Sequence, residues 1–148
     1  MKWADFAAGQ VLEAGPIAVD EDAIVAFARD YDPQWFHVDP ERSADGRHGG
    51  LIASGWQTCG LAMRLAVDNF LHDSESFASP GLAYLKWLYP VRPGDRLGMR
   101  ADVLEKRVSR GNPRLGILRW RWRLHNQGGH CVLDMEATSL FELPGERP

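Results

Sequence analysis

Cysteine is scarce in this chain, and its most apolar segment is interrupted by Arg64 and Asp68. The two cysteines, Cys59 and Cys131, stand far apart, without metal-ligand spacing or the density of a disulfide-stapled secreted domain. Both are expected to be reduced core residues. The N-terminal stretch Met1-Lys2-Trp3-Ala4-Asp5 lacks the apolar run and cleavage pattern of a secretory signal. A soluble, cytoplasmic protein with no membrane partner is therefore expected. An excess of basic charge is also missing: 17 Lys and Arg against 20 Asp and Glu give a formal charge of -3, with a pI near 5.9. That balance excludes the basic footprint of a nucleic-acid binder. There is no Gly-rich nucleotide loop between a strand and a helix, and His37, Asp39 and His48 lack ligand spacing, so neither cofactor nor metal is expected. What the chain does have is 148 residues of which 45% are hydrophobic, enough for one compact domain over residues 1–148.

Residues Asp20 to Tyr31 read as an amphipathic helix, with Asp20 as N-cap, Glu21 and Asp22 in the first turn, and Ile24, Phe27 and Ala28 at helical spacing. Pro33 stops it and pushes Asp32 out of helical geometry. Residues Asp39 to Gly50 are a polar, Gly-rich loop with one helical turn at Pro40. From Ser54 a second helix runs to Leu71, and its broad hydrophobicity predicts enclosure on most sides. Ser54 with Gln57 matches a capping box. After a Ser-rich loop around Asp73 to Ser79, strands are expected at Gly81–Tyr89, Arg96–Arg107, Leu115–Asn126 and His130–Leu143. A further edge strand is expected near Val11–Val19, with Pro16 at an edge or bulge. The clearest period of two places Leu118, Trp120, Trp122 and Leu124 on one face and Arg119, Arg121, Arg123 and His125 on the other. An antiparallel sheet with one apolar face needs a cover, and the long helix supplies it. The tail from Pro144 is expected to be loose.

Three segments carry chemistry: Phe27-Ala28, then Asp32-Pro33-Gln34-Trp35-Phe36-His37-Val38-Asp39, then Gly50-Leu51-Ile52-Ala53-Ser54-Gly55. Together they resemble the MaoC-like dehydratases of the hotdog fold. The resemblance is close over residues 24 to 60 and weaker elsewhere. It implies an α+β hotdog fold and an acyl dehydratase or R-specific enoyl-CoA hydratase of fatty-acid metabolism, acting on an acyl-CoA and assembled as a homodimer or higher homo-oligomer. Coenzyme A then enters as part of the substrate. By the same resemblance Asp32 and His37 form the catalytic pair, while Gly55, Gln34 and Ser54 belong to the substrate site. Gln34 stands where the family has asparagine, Trp35 where it commonly has proline, and Ser54 where histidine often precedes the helix glycine. The bulk of Trp35 is expected to reshape the mouth of the site.

The residue types suit that chemistry. Hydration needs a base for water, an acid for the α-carbon and donors for the enolate oxygen. A carboxylate beside an imidazole provides the first two. A helix N-terminus provides the third, and glycine there lets a thioester approach. The same helix end also suits an acyl-CoA thioesterase, and the two departures at Gln34 and Trp35 suit a non-catalytic acyl-thioester binding protein. His48 reads as a loop residue, the arginine row as a solvent or subunit face, and Arg92 and Lys86 as possible phosphate partners. By strand parity at most one of Tyr84 and Trp87 lines a pocket.

Overall fold

A computed structural model of the protein describes residues 1–145; residues 146–148 of the tail expected to be loose lie outside them. In chain order the elements are β1 (Val11–Ala18), α1 (Glu21–Tyr31), α2 (Trp35–Val38), α3 (Pro40–Ala44), α4 (Gly55–Ala66), β2 (Ser76–Trp87), β3 (Arg96–Val108), β4 (Leu115–His125) and β5 (Cys131–Glu142). The strands form one antiparallel sheet in the order β1-β3-β4-β5-β2. Among the described residues no helix is long and apolar enough to cross a membrane.

Alternation along β4 sets the two faces of the sheet. Trp120 lies opposite Val103 and Ala137, Trp122 opposite Ala101 and Met135, and Leu124 opposite Met99 and Leu133. All nine are buried. The expected apolar face is therefore the core, and α4 lies against it through Ala62, Leu65 and Ala66. Phe6 closes one end, packed edge-on against Trp120 and Phe141. β1 is an edge strand whose register shifts between Ala14 and Ile17, around Pro16, as expected.

Several expectations are corrected. α4 is not enclosed on most sides: Trp56 is 60% and Met63 45% exposed, because one sheet supplies only one covering layer. Its regular turns stop at Ala66, and Val67–Leu71 form a π-helical turn. Of the segment read as a Ser-rich loop, residues 73–75 form a turn but residues 76–79 already belong to β2, which starts at Ser76 rather than Gly81 and pairs with β5 through three register shifts. Ser and Gly weaken the sequence signal of a strand even where backbone pairing forms. Cys59 and Cys131 are free but only half-buried.

The outer face of the sheet is a lattice of alternating charge. Arg119 reaches Glu136 at 3.2 Å, Arg121 reaches Asp134 at 2.7 Å, and Arg123 reaches Asp102 at 2.9 Å. The arginine row is thus held by carboxylates of neighbouring strands. The Arg121 hydrogen bonds hold the Asp134 carboxyl below the ordinary range against the opposing effect of burial, with Tyr84 adding to the lowering. Arg100, and after it Arg123, does the same for Asp102. A carboxyl that ionises more readily in the folded state stabilises the fold fully above the unfolded value of about 3.9, and that contribution is lost as pH falls through the lowered folded value. Urea midpoints should therefore fall as pH drops below about 5, and Asp134→Asn should flatten the dependence. Identical pH slopes for the variant and the wild type would contradict this assignment.

Candidate active site

Asp32 caps the C-terminus of α1: its N–H bonds to the Ala28 carbonyl, and φ -151, ψ 66 take the chain out of the helix before Pro33. α2 begins three residues later and places buried His37 one turn in. The returning segment Leu51–Ser54 is threaded between α2 and the turn after β2, with Ile52 N–H on the Phe36 carbonyl and Ala53 N–H on the Val91 carbonyl. That threading brings the Ile52 carbonyl to 2.7 Å from His37 Nδ1. The other ring nitrogen, Nε2, lies 3.2 Å from Asp32 Oδ2.

The carboxylate is held from two further sides. Ser54 Oγ donates to Asp32 Oδ2 at 2.9 Å, and Gln34 Nε2 donates to Oδ1 at 2.8 Å. Burial pushes the Asp32 carboxyl up, but the Gln34 and Ser54 hydrogen bonds and the positive charge available at His37 outweigh it and leave it below the ordinary range. The same Ser54 hydroxyl accepts the Trp56 N–H at 3.3 Å, so one oxygen joins the helix start to the carboxylate. The expected capping box does not form: Gln57 is buried and its Oε1 has no hydrogen-bond partner among the described residues. Ser54 caps alone, its oxygen accepting the Trp56 N–H while its proton goes to Asp32.

Asp32, His37 and Gly55 line one cavity of about 410 Å³, together with Thr58, Trp87 and Val132 among others. Buried Thr58, Val91 and Val132 form the floor, while the exposed Trp56, Trp87, Leu88 and Tyr89 form the mouth. Gly55 opens α4, where the first N–H groups have no intrahelical partner. Gln34 and Ser54 sit beside this cavity with their polar atoms on Asp32. Trp35 is not in the lining: it packs under Arg42, 4.4 Å above its ring, and against Gly46, where a Cβ would lie 2.7 Å from the indole. The expectation that it reshapes the mouth is corrected on that ground. Trp87 takes that place instead, donating its Nε1–H to the Gly55 carbonyl at 2.9 Å. Tyr84 faces away and donates to Asp134, in line with the parity of β2. His48 packs on Phe36, and its carbonyl accepts from Arg92. Lys86 lies over Tyr84 on the outer face, so neither cation reaches the cavity lining.

The aromatic mouth was missed in the sequence beyond the parity of Trp87. Its one available signal is the position of Trp87-Leu88-Tyr89 immediately before the Pro90 to Asp95 turn. No group of His, Cys, Asp and Glu able to hold a metal occurs among the described residues.

Known proteins resemble this chain in sequence and in fold. A family model described as a MaoC like domain matches residues 5–119. The uncharacterized protein YdeM of Bacillus subtilis is 33% identical over 142 residues, 96% of this chain and 99% of its own length. The crystal structure of a MaoC-like dehydratase from Rhodospirillum rubrum superposes with a TM-score of 0.87 at 34% identity, covering 96% of this chain and 97% of that one. R-hydratase PhaJ1 of Pseudomonas aeruginosa gives a TM-score of 0.75 at 25% identity, covering 99% and 92%. The chain therefore belongs to the MaoC-like dehydratase family and has its hotdog fold.

Proposed function

We propose that the protein catalyses the reversible addition of water to a 2-enoyl-CoA, the reverse direction being dehydration of a 3-hydroxyacyl-CoA. The observation that carries this reading is the 3.2 Å contact between Asp32 and His37 on a cavity that the first turn of α4 also lines. The similarity to R-hydratase PhaJ1 supports it.

The hydrogen bonds support one placement of the protons. A carbonyl oxygen only accepts, so His37 Nδ1, 2.7 Å from the Ile52 carbonyl, carries a hydrogen. A neutral ring would then direct the Nε2 lone pair at the carboxylate. The contact is attractive only when the pair holds one further proton, and the donors on Asp32 favour its placement on Nε2. In hydration, Asp32 takes a proton from water as the water oxygen bonds to C3. The enolate charge develops on the thioester oxygen facing the Gly55 N–H, and His37 Nε2–H protonates C2. Asp32 then returns its proton to His37 across the same contact, restoring the starting state. No cofactor takes part, since coenzyme A arrives on the substrate.

A panel of short, medium, branched and carboxylated enoyl-CoAs, followed by loss of enoyl absorbance, tests the reading. Hydration of at least one member is expected. Thiol release from acyl-CoAs with no change in enoyl absorbance would replace it with a thioesterase.

The uncovered apolar surface belongs to the same reading. β2 has a free edge and exposes Phe77, Leu82 and Trp87 beside Trp56 and Met63 of α4. A homodimer formed across this side covers surface that one chain leaves to solvent. Sedimentation should show a dimer that Phe77→Glu weakens; a monomeric wild type at micromolar concentration would discard the assembly.

A further inference from the structure

We infer that the outer face of the sheet carries a second site, a cationic cleft for a phosphorylated small molecule of nucleotide size. It lies where β1 bends, at the start of β3 and the end of β4, in a depression of about 730 Å³. Its residues alternate with Leu97, Met99 and Leu124 of the core, so it opens away from α4 and from the Asp32–His37 pair.

Two glycines hollow it out. Gly15 has φ +91, and a Cβ there would stand 2.9 Å from the Leu97 carbonyl oxygen, so only glycine lets β1 lie this close to β3. Gly98 has no such constraint: a Cβ on it would meet nothing within 4 Å. The position opposite His125 is empty space that ordinary residues would fill.

The rim carries Arg96, Arg100, Arg123 and His125, with Glu13 as the acidic member. Elsewhere on this face each arginine of β4 has a carboxylate to itself, Arg119 on Glu136 and Arg121 on Asp134. Here the pattern breaks. Arg100 and Arg123 share the single carboxylate of Asp102, at 3.0 and 2.9 Å. Arg96 has no ion-pair partner among the described residues, and Glu13, opposite Arg100 in register, is in ion-pair contact with none of them. Three guanidinium groups and an imidazole thus face two carboxylates. Guanidinium forks match the several oxygens of a phosphate, and a cleft of this volume takes a ligand larger than a lone ion. The phosphate belongs either to the nucleotide end of coenzyme A, which depends on the function proposed above, or to a separate phosphorylated compound.

Calorimetric titration with ADP tests the site without turnover. Saturable binding to the wild type is expected, about tenfold or more weaker in Arg96→Gln, which removes one charge-assisted contact, and in Gly98→Glu, which puts a carboxylate in the cleft. Gly98→Ala, whose methyl group meets nothing, should retain affinity, and melting temperatures should stay level across the set. Absence of saturable binding in the wild type, or wild-type affinity in both Arg96→Gln and Gly98→Glu, overturns the inference. Kinetics identify the source: a KM raised by Gly98→Glu for a CoA thioester but not for the pantetheine thioester assigns the cleft to the substrate. Loss of ADP binding with both KM values unchanged assigns it to another phosphorylated compound. Failure of every enoyl thioester to react leaves the titration standing, so the two readings fail separately.

Discussion

Replacing His37 with glutamine is expected to lower kcat for enoyl-CoA hydration about 100-fold or more, with the fold retained. Glutamine can keep a hydrogen bond to the Ile52 carbonyl, now at 2.7 Å from His37 Nδ1, but it cannot carry or release a proton. Asp32→Asn should cost a similar factor, because an amide accepts no proton from water and presents an N–H group to donors already in place at Ser54 and Gln34. Since one proton circulates between the two groups, the double variant should be little worse than either single one. Steady-state kinetics on the most reactive enoyl-CoA measure all three. Near-wild-type kcat in both single variants would remove the proposed mechanism, and fully multiplicative losses would show that the two residues do not act as a unit.

Gly55→Ala should be the second damaging change. A Cβ at position 55 would stand 2.5 Å from Trp87 Cε2 and 2.6 Å from Nε1, and the indole is tethered there by its bond to the Gly55 carbonyl. Something must give: the ring leaves the mouth, or the first turn of α4 shifts with the N–H assigned to the thioester oxygen. Overpacking of this kind costs about 1–3 kcal/mol, and loss of one aligned donor costs about 2.7–4 kcal/mol in the transition state. Trp87→Leu removes the obstructing ring, so Gly55→Ala should be markedly less harmful in that background. Equilibrium unfolding and kcat/KM for the four proteins measure the coupling. Additive effects would show that Trp87 and Gly55 do not constrain one another.

The core was legible where pattern and burial coincide. Leu118, Trp120, Trp122 and Leu124 alternate with arginines, and a strand with that alternation has only one way to hide four large side chains. Asp20 announced the start of α1, and Pro33 its end, through local backbone chemistry alone. β2 was harder to read, because Ser76, Ser79, Pro80 and Gly81 carry little strand signal and its pairing comes from β5, whose partners for Ser76 and Trp87 are Phe141 and Leu133, far along the chain.

Local chemistry also determined the resemblance that names Asp32, His37 and Gly55, because the spacing of a helix exit, a short helix and a capped helix is written in consecutive residues. What the hydrogen bonds do was decided by tertiary structure. Ser54 stands 22 residues from Asp32, and its single hydroxyl proton went to the carboxylate, which a local capping motif does not reveal. Trp35 and Trp87 show the same division: the indole adjacent to the motif turned into the loop under Arg42, and the remote one reached the cavity. A sequence states which groups exist and how nearby backbone bends. Which of them meet depends on strand register and packing between distant segments, and those are settled only when the whole chain closes on its core.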